Sequence, residues 1–299
     1  MFGASTFTVS QLLTDPEARS IVRELRLPRV VFALLVGGAL AVVGAVYQSL
    51  FRNPLASPFT FGVSSGAALG ASLALMFGGS GVSVQGAAIC GALVSIMLIL
   101  VISRRVRGAA GDSLLLVGVI FSFFCSSILT MLQYLSDYSQ LFRVTRWMMG
   151  GVPTTSLSEI GSGALCIAIF VVWVVRNHRS FDLMLFGDDV AAVKGVDGDR
   201  LYYVSFILSS IVVGWIVAQC GVIGFVGIIV PAIARHFVGL RHRHVVPVSF
   251  VIGAVLVTLC DLLGRVARPP FEVPAGVFTA VVGGPIFIFL ALTNLKRWR

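Results

Sequence analysis

PRVVFALLVGGALAVVGAVYQSL, residues 28–50, carries one charge, Arg29 at its second position, and is otherwise almost wholly apolar. Coiled as a helix, such a stretch reaches about 35 Å at 1.5 Å per residue, enough to cross a hydrocarbon layer of about 30 Å. A helix satisfies its own backbone hydrogen bonds in lipid, so residues 28–50 are expected to span a membrane. Further apolar runs follow at about 59–78, 83–102, 113–136, 157–175, 200–220, 222–239, 247–267 and 274–295, making nine with short connections. The expected fold class is therefore all-α, a polytopic membrane helix bundle. Residues 28–299 form one transmembrane domain, and residues 1–27 form an external N-terminal segment without the apolar core of a signal peptide. Nine runs leave no room in 299 residues for a soluble ATPase, receptor or DNA-binding module. Composition agrees: the chain is 57% hydrophobic and 12% charged with mean hydropathy +0.98, whereas soluble domains carry about 25% charged residues.

The net charge of +9 arises from 20 Arg and two Lys, Lys194 and Lys296, against 13 acids. These bases lie mostly between the apolar runs, as topology signals do, so nucleic acid is not an expected partner. If the runs alternate, Arg52, Arg104, Arg105, Arg107, Arg176, Arg179, Lys194, Arg200, Arg235, Arg241, Arg243, Lys296, Arg297 and Arg299 share one side. Arg19, Arg23, Arg26, Arg29, Arg143, Arg146, Arg265 and Arg268 share the other. The positive-inside bias then puts the C-terminus in the cytoplasm and residue 1 outside.

Motifs for covalent chemistry are missing. There is no GxxxxGK[ST], so the chain cannot cradle ATP phosphates through a P-loop, and no GxSxG or HExxH. The cysteines, Cys90, Cys125, Cys166, Cys220 and Cys260, lie singly inside apolar runs and read as small buried hydrophobes. His178, His236, His242 and His244 fall at inner loop ends and read as a solvated basic edge, with metal binding by His242 and His244 as the weaker alternative.

Four features stand apart. Glycines at GxxxG steps, Gly62, Gly66 and Gly70, allow close helix packing. Within VIGFVGIIVPAIARHFVG, residues 222–239, Pro231 and three glycines predict a short or broken helix beside a cavity. FDLMLFGDDVAAVKGVDGDR, residues 181–200, spells a short helix outside the membrane: Asp188 and Asp189 suit its N-terminus, Lys194 its C-terminus, and Gly195 a left-handed cap. With small residues at Ala191 and Ala192 it suits a groove on another protein, or else caps the following span. Ser122, Ser126 and Thr130, with Ser127 and Gln133, form a polar stripe that either lines a water-filled path or bonds a neighbouring helix. Asp261 and Arg265, one turn apart, read either as an ion pair anchoring a helix end or as part of an outward basic surface with Arg26 and Arg29. Few acids in the outer loops oppose those arginines, so their self-pairing is expected to be incomplete.

From RELRLPRVVFALLVGGALAVVGAVYQSLFRNPLASP (23–58) onward the chain resembles the FecCD-type permeases, the membrane subunits of binding-protein-dependent ABC importers. The resemblance continues in order through FGVSSGAALGASLAL (61–75), LLLVGVIFS (114–122), RWMMGG (146–151), LFGDDVAAVKGV (185–196), GVIGFVGIIVPAIAR (221–235) and DLLGRVARPPFEVPAGVFTAVVGGPIFIFL (261–290). It implies a permease in a bacterial cytoplasmic (inner) membrane, carrying iron(III)-siderophore complexes, haem or cobalamin. It implies a homodimer with a central path, two separate ATPase subunits that use the ATP, an external or periplasmic binding protein, and no cofactor in this chain. By the same resemblance Arg26, Arg29 and Arg265 receive glutamates of the binding protein, Asn53 and Leu55 form a cytoplasmic gate, and Asp188, Asp189, Ala191, Ala192 and Gly195 belong to the loop at about 181–199 that docks into the ATPase. Two departures stand out: Ala232 occupies the place of the histidine in the usual PHIAR, and residues 1–27 resemble the external stretch that follows the family's first helix, which reads either as a start placed too late or as a nine-helix variant with an external N-terminus. An ion-gradient-driven secondary transporter is the alternative from another class; it needs intramembrane carboxylates, which only Asp261, Asp112 and Glu159 approach.

Overall fold

The structure, a computed structural model, describes residues 15–59, 61–77, 83–106, 110–154, 157–267 and 271–294. The external placement of residues 1–14 and the cytoplasmic placement of residues 295–299 concern residues outside these ranges. Among the described residues all regular structure is helical. Asp15 caps α1 (Pro16–Ser20), its side chain accepting from the Glu17 amide at 2.9 Å. A π-helical turn (Ile21–Arg26) then runs without interruption into α2 (Leu27–Leu50). Residues 16–27 thus extend the first span as helix, beyond the start at residue 28 that hydropathy alone marks.

The chain continues through α3 (Val63–Phe77), α4 (Val84–Ser103), α5 (Ala110–Leu135), α6 (Tyr138–Met148), α7 (Leu157–Arg176), α8 (His178–Met184), α9 (Asp188–Val193), α10 (Gly198–Cys220), α11 (Val226–Val238), α12 (His242–Val266) and α13 (Ala275–Asn294). Among the described residues six helices are long and apolar enough to cross a membrane, and three shorter apolar ones correspond to the runs at 59–78, 222–239 and 274–295. All nine expected runs are present as helices, so the polytopic bundle stands.

The hub is α2, which is buried along nearly its whole length. Glycine makes this possible. Gly37 meets Gly253 of α12 backbone to backbone, Gly44 meets Gly227 of α11, and Gly66 and Gly70 of α3 lie against Gly91 and Ala87 of α4. Without side chains between them, the backbones approach closely enough for packing forces to hold helices together in lipid. The outer faces of α4 and α5 expose Leu93, Met97, Ile120 and Phe123. Cys125, Cys220 and Cys260 are buried as expected, but Cys90 is exposed because it sits on the outward face of α4.

Contacts sort the helix ends into two sets. At one end the Gly151 amide donates to the Cys220 carbonyl (2.7 Å), the Gly276 amide to the Gly150 carbonyl (2.9 Å), and Gln140 Nε2 to the Met76 carbonyl (3.0 Å). At the other, the Tyr202 hydroxyl lies 2.8 Å from the Leu50 carbonyl and the His242 amide donates to Asp182 Oδ1 (2.8 Å). Alternating spans produce this grouping; the second set is called the inner end below.

Residues 222–239 hold a short helix, one of the two expected forms, and Pro231 does not break it. The interruption precedes the helix, where Gly221 (φ +68°) and Phe225 (φ +67°) turn the backbone, and α11 then runs continuously through Pro231. Pro231 has no N–H for the Gly227 carbonyl one turn back. Gln48 Nε2 supplies the missing donor, reaching the Gly227 carbonyl at 3.2 Å and that of Ile228 at 3.0 Å. A buried carbonyl is thereby satisfied from α2, and the helix need not bend.

Candidate functional site

The inner end is organised around α9. Gly187 (φ +111°) admits the chain, Asp188 and Asp189 occupy the first turn, and Gly195 takes φ +79° past the end. The Gly195 amide donates to the Ala192 carbonyl (2.9 Å) and the Val196 amide to that of Ala191 (3.0 Å), the paired bonds of a Schellman ending. Six residues do not hold a helix alone in water; α9 is held by what lies beneath it. Ala191 is fully buried, so its side chain offers nothing to a partner. The outward face is instead Phe186 (72% exposed), Val190 (45%) and Val193 (85%), with Asp189 and Ala192. Of the two small residues only Ala192 adjoins this apolar knob. The knob's signal in the sequence is Phe186, Val190 and Val193 set around Asp188 and Asp189, in a loop that mixes apolar and charged residues.

Asp188 does not share that face. Its Oδ1 accepts from the Tyr202 hydroxyl (3.1 Å) and its Oδ2 lies 3.5 Å from Arg52. Arg52 begins the loop that holds Asn53 and Leu55. There Asn53 Oδ1 accepts from the Leu55 amide (2.9 Å), fixing a turn that leaves Leu55 about half exposed.

Beside this lies a buried polar network that sequence spacing does not reveal. Asp182 of α8 accepts from the His242 amide and bonds His242 Nδ1 at 2.6 Å; His242 Nε2 meets Ser49 Oγ at 2.6 Å. Arg235 of α11 donates to Gln48 Oε1, to the Ala45 carbonyl (3.1 Å) and to Ser49 Oγ (3.2 Å). His242 is fully buried, which overturns the solvated-edge expectation for it, and both its ring nitrogens are engaged, which removes it as a metal ligand. Among the described residues no cluster of His, Cys, Asp and Glu could hold a metal. Burial works against the Asp182 carboxylate, yet its hydrogen bonds from His242 hold its pKa below the usual range. The Asp–His–Ser order resembles a hydrolytic triad, but Ser49 and His242 are wholly enclosed and Ser49 Oγ donates to the Ala45 carbonyl (2.8 Å), so no nucleophile faces a substrate. Its work is to fasten α8, and hence the α9 loop, to α2, α11 and α12.

At the outer end Asp261 lies between two arginines. Arg29 Nη2 approaches Asp261 Oδ1 at 2.9 Å and Glu272 Oε2 at 3.0 Å, while Arg265 Nε lies 3.2 Å from Asp261 Oδ2. Self-pairing is therefore fuller than the sparse acids of the outer loops suggest, because Glu272 and Asp261 converge on Arg29 from different segments. Arg26, half-buried, closes the π-helical turn one residue before α2. Asp261→Ala would leave two largely buried guanidinium groups without their shared counter-ion, so a loss of about 3–5 kcal/mol is expected. Thermal unfolding in detergent should show a lower midpoint for Asp261→Ala, and a smaller drop for Glu272→Gln, whose carboxylate is half exposed.

Ser122 donates to the Gly118 carbonyl and Thr130 to that of Ser126, both at 2.9 Å, so these hydroxyls bond their own helix. Ser126 and Thr130 are exposed on the outside of α5. Besides α1 and α9, two α-helices lie outside the expected apolar runs. One is α6, opened by a reciprocal capping box between Asp137 and Gln140, a pattern legible in D-x-x-Q; the other is α8.

The sequence model of the FecCD transport family matches residues 1–293. The chain belongs to the FecCD transport family. It is 36% identical over 279 residues to the vitamin B12 import system permease BtuC of Vibrio cholerae, covering 92% of this chain and 84% of the relative. It is also 36% identical over 279 residues to the hemin transport system permease HmuU of Yersinia pestis, covering 91% and 83%. Among solved structures, an inward-facing one provisionally described as a metal-chelate type ABC transporter superposes with a TM-score of 0.88 at 30% identity, covering 98% of this chain and 93% of that one. This FecCD chain is thus a membrane-spanning permease subunit and not itself an enzyme; ATP hydrolysis belongs to a separate chain.

Proposed function

We propose that this chain is the permease of an ATP-driven importer for a bulky metal chelate, an iron(III)-siderophore first and haem or cobalamin next. It works as a homodimer in a bacterial cytoplasmic membrane, with the inner end and C-terminus in the cytoplasm, two ATPase subunits beneath and an external binding protein above. The observation that carries this is α9, a short helix with an exposed apolar face, fastened from behind to the bundle's central helix and adjoining the loop of Asn53 and Leu55. Movement of an ATPase seated on that face is transferred to the spans, which rock between outward and inward openings. Arg26, Arg29 and Arg265 form the outer docking surface, where carboxylates of a binding protein compete with Asp261 and Glu272 for the same guanidinium groups. The stripe of Ser122, Ser126 and Thr130 faces the path once a second copy stands opposite it. The ion-gradient alternative finds no support, because Asp261 is neutralised by two arginines and Asp112 and Glu159 are exposed at helix ends.

The test is a pull-down of tagged chain from native membranes in mild detergent, with mass spectrometry of what remains bound and hydrolysis measured on the complex. An ATPase subunit whose activity rises with an external binding protein is expected, and that protein's ligand names the chelate. A chain recovered without any ATPase would sink the proposal.

A further inference from the structure

Three observations meet at the inner end of α2. Arg52, the second residue after α2, sits at φ +46°, a left-handed conformation that costs a non-glycine residue about 1–2 kcal/mol. Its guanidinium reaches across to Asp188, the first residue of α9. Tyr202 of α10, almost fully buried with its ring 5.7 Å from that of Phe51, lies with its hydroxyl 2.8 Å from the Leu50 carbonyl and 3.1 Å from Asp188 Oδ1. A phenol has one proton, and both neighbours only accept. Tyr202 therefore serves the last turn of α2 or the first turn of α9, and a small relative shift decides which.

We infer that Asp188, Tyr202 and Arg52 form a clasp that passes displacement of the α9 helix to the loop carrying Asn53 and Leu55. This deepens the importer proposal and rests on it. Asp188 acts as a positioning residue: its carboxylate faces back into the bundle, whereas Val190 and Val193 face out. With α9 seated, Asp188 holds Arg52 in its strained conformation. When α9 moves, the ion pair loosens, the Tyr202 proton turns to the Leu50 carbonyl, and the backbone at Arg52 relaxes, moving Leu55. An exposed ion pair such as Arg52–Asp188 adds little stability by itself. That weakness suits a contact made and broken in each cycle.

The test uses the complex with its native ATPase, reconstituted in nanodiscs, with an environment-sensitive fluorophore on Leu55→Cys in a background lacking the five native cysteines. ATP with orthovanadate is the probe. In the unsubstituted clasp the label's emission should shift on trapping. In Tyr202→Phe, which keeps the ring, and in Asp188→Asn, the shift should fall at least fivefold while ATPase binding and hydrolysis stay within twofold. Arg52→Lys should keep most of the response and Arg52→Gly, which removes strain and charge together, should lose it. A full shift in Tyr202→Phe and Asp188→Asn overturns the clasp. Loss of ATPase binding in those variants would also overturn it, by making Asp188 a docking residue, and leaves the importer proposal intact. A label that never responds although the ATPase is bound removes the gate role of Leu55 and the clasp with it, whereas failure to recover any ATPase with the unsubstituted chain counts against the importer proposal itself.

Discussion

Val193→Glu is expected to release the ATPase from a chain that still folds and inserts. Val193 is 85% exposed at the last turn of α9, so the substitution costs the permease itself only about a few tenths of a kcal/mol, from an acid near a helix C-terminus. In a docked complex the arithmetic differs. Burial of a valine side chain is worth about 1.5 kcal/mol, and an unpaired carboxylate in an apolar groove costs several kcal/mol more. A total near 4 kcal/mol weakens association about a thousandfold. Pull-down should recover Val193→Glu at normal yield without the ATPase, and binding-protein-stimulated hydrolysis should vanish. Ala192→Glu, on the same face, should behave alike. Ala191→Glu should fail in another way, with lowered yield, because its side chain points into the bundle. Normal ATPase retention by Val193→Glu would show that α9 is not the docking element.

The fold was legible because lipid imposes one length and one polarity on every span. Nine apolar runs became nine helices, and the shortness of α11 followed from Gly224, Gly227 and Pro231. Proline breaks a helix only when nothing replaces its missing donor, and here the replacement, Gln48, lies 183 positions away from Pro231 in the sequence. The same distance in sequence hid the inner network: Asp182 and His242 are separated by 60 residues, and nothing in either neighbourhood announces the other. Asp182 also explains why α12 begins at His242 and not near residue 247, for it caps that helix from a different element. The ending of α9 at Gly195 was readable, since left-handed caps are a local property. Which of its side chains face outward was not, because a six-residue helix shows too little periodicity to declare its buried side. The pairing of Arg29 with Glu272 depended likewise on the return of α12 and α13 to the start of α2.

Gly44→Leu is expected to abolish folding of the bundle, while Gly161→Ala leaves it unharmed or slightly more stable. A Cβ at position 44 would fall inside the backbone of Gly227, within 2.5 Å of its carbonyl carbon and Cα. Neither helix can yield easily. The partner residue is already glycine, and α11 is fixed at the same level by Gln48 on its carbonyls and by Arg235 on Ala45. Parting α2 from α11 to admit a side chain would strip both sets of bonds and leave Gln48 and Arg235 buried without their partners. Overpacking alone costs about 1–3 kcal/mol, and each orphaned buried polar group adds about 1–3 kcal/mol more. For Gly44→Ala these terms sum to about 4 kcal/mol, and for Gly44→Leu, with each near its upper limit, to about 9 kcal/mol, which matches the roughly 5–15 kcal/mol that separates folded from unfolded chains. Gly161, in α7, has nothing within 4 Å of its would-be Cβ, so alanine there gains up to about 1 kcal/mol of helix propensity without a clash. Size-exclusion profile and thermal midpoint of the purified chain separate the cases. A monodisperse Gly44→Leu protein with a normal midpoint would mean that α11 does not cross α2 at Gly44, and the inner network built on that crossing would have to be redrawn.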